Sequence, residues 1–403
     1  MKKYNYLIIG GGIIGLTVAR ELKERFHDKA IAIIEKEPKI ACHASGRNSG
    51  VLHAGFYYTK DSLKAKFTRD GNRALRDFCK KHGLKINECG KLVVAKNEYE
   101  LSGLEELKRR AELNGVVLDW VNEKEMHDID PNARTFKKAL FSPNTATVDP
   151  LEVCNALMNE NIRNGVEIHF NTKFIQYEGK KILTSNGIYE ADHIINCAGL
   201  FADKIAHQYG FGLDYTIIPF KGLYLKYKKN KEDIKTNIYP VPNLKNPFLG
   251  VHFTKTFNGD IKIGPTAIPA FWREHYNGFQ NFKLNEFLQI FLKESELFLR
   301  NSFHFRSLAF EEIKKYRKTS FIKLALQLVK KMDVEGFGDF LKPGIRAQLL
   351  NKRSNELVQD FVIEGDQHST HILNAVSPAF TCSIPFAKYV VDLILKKCSI
   401  GVI

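Results

Sequence analysis

No Cys-x-x-Cys pair occurs in this chain. Its seven cysteines are scattered and odd in number, so neither a zinc site nor a disulfide framework is suggested, and a reducing cytoplasm is the simplest compartment. No apolar run approaches the ~20 residues that span a bilayer. The opening "MKKYNYLIIGGGIIGL" has two lysines and then an apolar stretch, but no small-residue cleavage site follows, so it does not read as a signal peptide. Internal repeats, low-complexity linkers and basic stripes with interleaved aromatics are all missing; nucleic acid is therefore not an expected partner. The composition, 44% hydrophobic and 26% charged, excludes the disordered and fibrous classes. What is unbalanced is the sign of the charge. A net +15 over 403 residues favours anionic partners such as acidic metabolites or anionic lipid, although a solvated lysine-rich surface accounts for it equally well.

What is present begins with alternating strand and helix patterns. "YNYLIIG" (4–10) and "AIAIIEK" (30–36) read as buried parallel strands. Between them, residues 11–25 have helical periodicity, with Ile14, Val18 and Leu22 on one side. Strand, helix and strand within about thirty residues make a βαβ unit. Further helices are expected over 61–90, 98–115 and 149–165, the last with Asp149 as N-cap and Pro150 in its first position. A strand is expected at 90–97, strands and a hairpin over 166–203, and an antiparallel sheet over 216–265. Residues 283–331 turn helical and basic, with eleven Lys/Arg against five Glu. Strands return at 361–365 and 370–376, before a closing helix at 384–397. The expected architecture is α/β. A Rossmann-type dinucleotide-binding domain is built from 1–90, 145–215 and 336–403. A β-rich α+β substrate domain is built from 91–144 and 216–335.

The glycines of "GGGIIG" give Gly10-x-Gly12-x-x-Gly15 at a strand-to-helix junction. Gly10 allows the tight turn, Gly12 a close approach of backbone to a pyrophosphate, and Gly15 close helix–strand packing. The helix N-terminus then offers N–H groups and a favourable dipole to the pyrophosphate. Glu35 ends the second strand about twenty residues later, where a carboxylate takes ribose hydroxyls and repels a 2′-phosphate. FAD is preferred over NAD for two reasons. The motif opens a long chain, and a later buried strand ends in "NCAGLFAD" (196–203) with no second Rossmann half in view.

The stretches "GGGIIG", "ACHASGRNSGVLHAGFYY", "NCAGLFAD", "IIPFKGLY", "FLGVHFT", "PGIRAQ" and "SPAFTCSIP", in that order, closely resemble the L-2-hydroxyglutarate oxidase/dehydrogenase family of D-amino-acid-oxidase-like flavoproteins. The Gly-rich motif is shared by many flavoproteins; "RNSGVLHAGFYY" and "GIRAQ" are far more specific. The resemblance implies a bilobal enzyme holding FAD without a covalent link. It would oxidise (S)-2-hydroxyglutarate to 2-oxoglutarate and pass electrons to a membrane quinone or O₂. Two positions depart from the family pattern: Phe380 stands where a smaller residue is expected, and Thr266 where an amide is more usual. Either would alter substrate fit.

The expected cofactor contacts are Gly10, Gly12, Ile13, Ile14, Gly15, Glu35, Lys36, Ser45, Asn48, Ser49, Gly50, Phe174, Ala198, Gly199, Gly344, Pro378 and Thr381. No metal ligand set is expected, and neither Cys42 nor Cys382 is expected to bond the flavin. Oxidising a 2-hydroxy acid needs a base for the hydroxyl proton and cations for two carboxylates. His53 is the first candidate base, with flavin contact without proton transfer as its alternative; His252 is the second. Arg346, after a Pro-Gly turn, is the candidate for bidentate carboxylate pairing. Lys221 and Arg273 are weaker candidates for the distal carboxylate, and Tyr57, Tyr58 and Tyr239 for hydroxyl donors. Residues 283–331 read either as a helical cap or as a basic amphipathic surface, in which case a cytoplasmic protein touches the inner face of its membrane. An oxidase of the same fold acting on an amino acid or glycerol 3-phosphate is the nearest rival reading; a tRNA-modifying flavoprotein is more distant.

Overall fold

A computed structural model describes residues 1–243, 248 and 250–400. Leu249 of the "FLGVHFT" block and Cys398 lie outside the described residues and side chains. The chain divides into two compact units, 1–48, 150–219 and 346–403 in the first, 49–149 and 220–345 in the second.

The first unit is built on a sheet whose strands lie in the order Phe174–Glu178, Lys181–Thr184, Gly187–Asn196, Lys2–Ile9, Ile31–Ile34 and Glu167–His169. Lys2–Ile9 runs parallel to both of its neighbours, with Ile8 opposite Ile195 and Ile33. Ser369–Ile372 joins Gly187–Asn196 in parallel and takes Ile363–Gly365 as an antiparallel partner. The central strands Ile31–Ile34 and the C-terminal half of Lys2–Ile9 are buried, as sequences apolar on both faces require. Helices Ile13–Arg25, Pro150–Arg163 and Ala379–Ile400 belong to the same unit, and Asn161 donates from Nδ2 to Leu16 O at 2.9 Å. The α/β fold class read from the sequence is the one observed. The closing helix starts at Ala379, earlier than expected, because Cys382 N already bonds to Pro378 O at 3.1 Å. Pro385 lies inside the helix as its seventh residue, where it withholds the N–H that would otherwise reach the Thr381 carbonyl.

The second unit holds a long mixed sheet ordered Phe337–Phe340, Leu225–Tyr227, Ile261–Gly264, His252–Lys255, Asn237–Pro240, Lys91–Val94, Lys138–Ser142 and Asp119–Asn122. Its pairs are antiparallel apart from Asn237–Pro240 beside Lys91–Val94, which is parallel. A three-stranded sheet pairs Val51–Leu52 and Ile86–Asn87 with Ala146–Val148. The expected division kept 49–90 with the dinucleotide-binding segments; that sheet and the helix Leu63–Lys81 instead pack them into the second unit. Buried Asn72, on that helix, donates from Nδ2 to Leu52 O at 3.0 Å, His53 O at 3.2 Å and Asn144 O at 3.0 Å.

Residues 283–331 form the helices Leu284–Arg300, Phe305–Lys314 and Lys318–Leu326. The break between the first two lies at Asn301, Phe303 and His304, all with positive φ. No described helix is long and apolar enough to cross a membrane.

Candidate active site

The Gly-rich loop is explained by what a side chain would meet there. A Cβ on Gly15 would lie 2.0 Å from Gly10 O, and one on Gly10, whose φ is +115°, would lie 2.6 Å from Cys197 O. The loop is tied down by Glu35, whose Oε2 accepts from Gly11 N at 2.7 Å and whose Oε1 accepts from Glu37 N at 2.9 Å. Ser45 Oγ accepts from Ile13 N at 2.9 Å. Gly12, the N-cap of Ile13–Arg25, has no side chain of its own to cap that end, and no acidic residue stands in the first turn.

This arrangement fits the pyrophosphate and ribose of a dinucleotide. The close approach at Gly12 is blocked by nothing nearer than Ser45 Oγ, 3.0 Å from where a Cβ would sit. The helix's own first turn carries no acidic residue to compete with a phosphate, and the Glu35 oxygens each keep a lone pair beside the N–H they already accept.

Other expected cofactor residues are placed as follows. Lys36 pairs with Glu37 at 3.1 Å and lies 5.1 Å above the Phe201 ring. Asn48 Nδ2 donates to Ser45 O at 2.7 Å. Ala198 N takes Asn196 Oδ1 at 3.2 Å, and Gly199 adopts φ +53°. Ile14 is buried on the helix, and Pro378 and Thr381 lie at the buried start of the closing helix. Phe174 is the poor fit. Its ring packs in the apolar core with Tyr4, Leu7 and Ile34, so only its main chain is left for a ligand. Ser49, Gly50 and Gly344 fall in the second unit, where Gly50 O accepts from Val148 N at 2.9 Å.

The second unit gathers His53, Tyr57, Tyr239 and His252, residues distant in sequence. The ring of His252 stacks on that of Tyr239 with centroids 3.6 Å apart and 17° between planes. His252 Nδ1 lies 3.0 Å from Gly250 O. A carbonyl oxygen can only accept, so Nδ1 carries the hydrogen of that bond. His53 is buried, and burial, assisted by Lys91 and His252, holds its imidazolium well below the usual histidine range. Burial pushes the Tyr57 and Tyr239 phenols upward. The Tyr57 hydroxyl is buried without a hydrogen-bond partner among the described residues, as is fitting for a donor that awaits a ligand.

Sequence reasoning missed Lys91. It opens the strand Lys91–Val94, is fully buried, and places Nζ 3.3 Å from His53 Nδ1. Its Nζ also lies 4.3 Å from the Tyr239 ring centroid, 5.1 Å from that of Tyr57 and 5.5 Å from that of Phe56. Burial brings its ammonium down to about 7. The available signal was a lysine directly joined to the apolar run "LVVA".

Lys221 is buried, and burial brings it down to about 8. Arg273 is buried too, and its main-chain N–H donates to Glu286 Oε2 at 3.4 Å. Arg346 is half-buried on the strand Gly344–Asn351, at the start of the last segment of the first unit. Tyr58 lies on the Lys64 side, 6.0 Å from Nζ. The departure at Thr266 acquires a structural account: its hydroxyl donates to Lys221 O at 2.9 Å and accepts from Leu223 N at 3.0 Å. Thr266 thus fixes the backbone that carries Lys221. Phe380 is half-buried in the first turn of the closing helix.

A parallel sheet with a glycine-rich strand-to-helix turn, together with buried bases and cations in a separate β-rich unit, defines a dinucleotide-dependent oxidoreductase. The model of the FAD dependent oxidoreductase family matches residues 5–393. The chain belongs to that family and, within it, to the family of the L-2-hydroxyglutarate dehydrogenases; FAD is its cofactor. It is 34% identical to the L-2-hydroxyglutarate dehydrogenase of Escherichia coli K12 over 96% of this chain and 92% of that protein. It is 35% identical to the mitochondrial L-2-hydroxyglutarate dehydrogenase of Caenorhabditis elegans over 98% and 94%. Among solved structures it is similar to the FAD-bound L-alpha-glycerophosphate oxidase of Mycoplasma pneumoniae, with a TM-score of 0.78, 21% identity, and coverage of 98% and 95%. The glycine oxidase of Geobacillus kaustophilus gives a TM-score of 0.71 at 16% identity, covering 98% of this chain and 96% of that one. Those two structures speak to the fold alone.

Proposed function

We infer that this enzyme oxidises (S)-2-hydroxyglutarate to 2-oxoglutarate. The carrying observation is identity of 33–35% to L-2-hydroxyglutarate dehydrogenases of bacteria and animals over at least 96% of the chain. The first unit holds FAD non-covalently, through Gly10–Gly15, Glu35 and Ser45. Bound FAD supplies the hydride acceptor. The second unit supplies the rest. His53, kept neutral by burial, takes the hydroxyl proton. Lys221 and Arg273 hold carboxylates of the substrate, and the Tyr57 hydroxyl donates to it. His252 is the alternative base. Amino acids and glycerol 3-phosphate are the rival substrates. The test is anaerobic addition of each hydroxyglutarate enantiomer to the yellow holoenzyme. Bleaching by the (S) form alone is expected; bleaching by neither, with glycine or glycerol 3-phosphate active, gives the site to a rival.

The electrons go to a quinone in an anionic membrane, with O₂ as the slower acceptor, and the docking face is the helix Leu284–Arg300. Its amphipathicity is inverted. The buried stripe is Glu286, Ile290, Glu294 and Leu297, whereas Leu284, Leu288, Phe291, Leu292 and Leu299 are exposed. The apolar surface continues through neighbouring rings, Phe291 to Phe287 to Phe282 to Phe279, with centroids 5.5, 5.8 and 6.1 Å apart. Phe279 is 84% exposed. An apolar face this size on a helix is costly in water, and the excess of Lys/Arg in this segment suits anionic headgroups. Binding to vesicles of phosphatidylglycerol, weakened by salt and abolished by Leu292→Asp with Phe279→Asp, is expected; no pelleting at low salt sinks this part.

A further inference from the structure

The buried Lys91–His53 contact lies outside every role assigned above. Three aromatic rings surround the Lys91 amine, and His53 Nδ1 lies 3.3 Å from it. Two nitrogens this close share one hydrogen. If Lys91 is an ammonium, it donates, Nδ1 accepts, and Nε2 must carry hydrogen, which leaves His53 no lone pair with which to act as a base. A neutral Lys91 amine has a lone pair that can accept from Nδ1–H, and in that tautomer Nε2 carries the lone pair a base needs.

We propose that Lys91 is the positioning residue of the reaction: as a neutral amine it holds His53 in the Nδ1–H form, and it receives the proton that His53 collects. The inference rests on the reading of His53 as the base. The steps balance. The substrate O–H bond breaks as His53 Nε2–H forms, and its electron pair stays on the substrate oxygen and closes the carbonyl as hydride leaves Cα. His53 Nδ1–H then breaks as Lys91 Nζ–H forms. The positive charge ends on Lys91, where the Tyr239, Tyr57 and Phe56 faces stabilise an ammonium. The order of basicity agrees, since Lys91 sits at about 7 whereas His53 is held below the usual histidine value. The titratable groups facing the pair are His252 and Tyr239 on their strands, Tyr57, and Cys89 beside Lys91. Of these, the two phenols and the Cys89 thiol are held protonated by burial through neutral pH.

The first test needs no substrate. In holoenzyme labelled with ¹⁵N-histidine, His53 is assigned by its loss in His53→Asn. One unit above the Lys91 value of about 7, the Nδ1–H form is expected in the wild type and the Nε2–H form in Lys91→Met. Nε2–H in the wild type at that pH overturns the proposal, and does so whether or not (S)-2-hydroxyglutarate is the substrate. The second test is rapid-mixing flavin reduction. Lys91→Met should be about tenfold slower or worse with KM little changed. The acid limb of its pH profile should move to lower pH, because His53 alone then titrates. Should Lys91→Met fail to take up FAD, Lys91→Gln, which hydrogen-bonds but cannot take the proton, must show the same loss and the same displacement. A wild-type rate with an unmoved limb in either variant overturns the proposal.

Discussion

The Gly-rich turn and the His53 cluster solve opposite problems. At the turn, main-chain N–H groups do the work, and their neighbours are already engaged: Glu35 by Gly11 and Glu37, Ser45 by Ile13. In the cluster, ionisable side chains are buried with little compensation. Lys91 faces aromatic rings, His53 is buried against the Lys91 amine, and the Tyr57 hydroxyl has no partner among the described residues. A recognition surface for a resident cofactor can be satisfied at rest, whereas groups that must gain and lose protons are kept from their preferred charge state. Mutations should therefore separate the two regions: damage at the turn removes the cofactor, and damage in the cluster spares it.

The largest effect is expected from Gly15→Val. Its Cβ would lie 2.0 Å from Gly10 O, an approach no side-chain rearrangement relieves, so the purified protein should be colourless. A variant that is still yellow would mean that FAD is held elsewhere. Next comes His53→Asn, which should stay yellow and reduce its flavin about 10²–10⁴-fold more slowly. His252→Asn should cost less; the reverse order would transfer the base to His252.

A smaller effect is expected at Lys221. Lys221→Met should raise KM for the dicarboxylic acid about 10–100-fold, the range for a hydrogen bond to a charged group, with kcat nearly unchanged. The sign of the pH dependence follows from its position at about 8. Below that value Lys221 is an ammonium and binds a carboxylate; above it the amine is neutral. The wild-type KM should rise as pH passes about 8, and the Lys221→Met KM should lack that rise. A parallel rise in both would assign the ionisation to another group.

The turn could be read from the sequence because it is local. Gly10, Gly12, Gly15 and Glu35 lie in one βαβ unit, where strand and helix periodicities fix their geometry. The cluster is non-local. Residues 53, 57, 239 and 252 were each singled out by type and neighbours, but nothing along the chain says that Lys91–Val94 lies beside Asn237–Pro240, which is what brings Lys91 under the Tyr239 ring. Lysine is usually a surface residue, so Lys91 was absorbed into an ordinary strand. Thr266 was only half legible for a related reason. A hydroxyl in place of an amide suggested altered substrate contact, yet its bonds run to main-chain atoms of Lys221 and Leu223. Phe174 shows the converse, a residue expected at the cofactor whose ring belongs to the core.

The smallest effect expected here, and the one that sharpens the contrast most, is on stability. In the folded protein Lys91 titrates at about 7, against 10.5 for an ordinary lysine. Its folded-state value is depressed, so folding expels a proton at any pH between these two. The stability of the native state is then highest above the ordinary value, falls as pH drops from about 10.5 towards 7, and levels off below. Lys91→Met fills the same space with apolar atoms and removes that penalty, so at neutral pH it should be more stable than the wild type by about 1–2 kcal/mol, while turning over more slowly. Thermal melts of both proteins across the alkaline range supply the check, with the gap between them closing as pH rises. Glu35→Gln, at the turn, should show no such gain, because its carboxylate is already engaged by main-chain N–H groups and the charge-assisted bonds would be weakened. A gain at Lys91 and a loss at Glu35 would establish that only the cluster exchanges stability for chemistry; a loss at both would make Lys91 an ordinary structural residue.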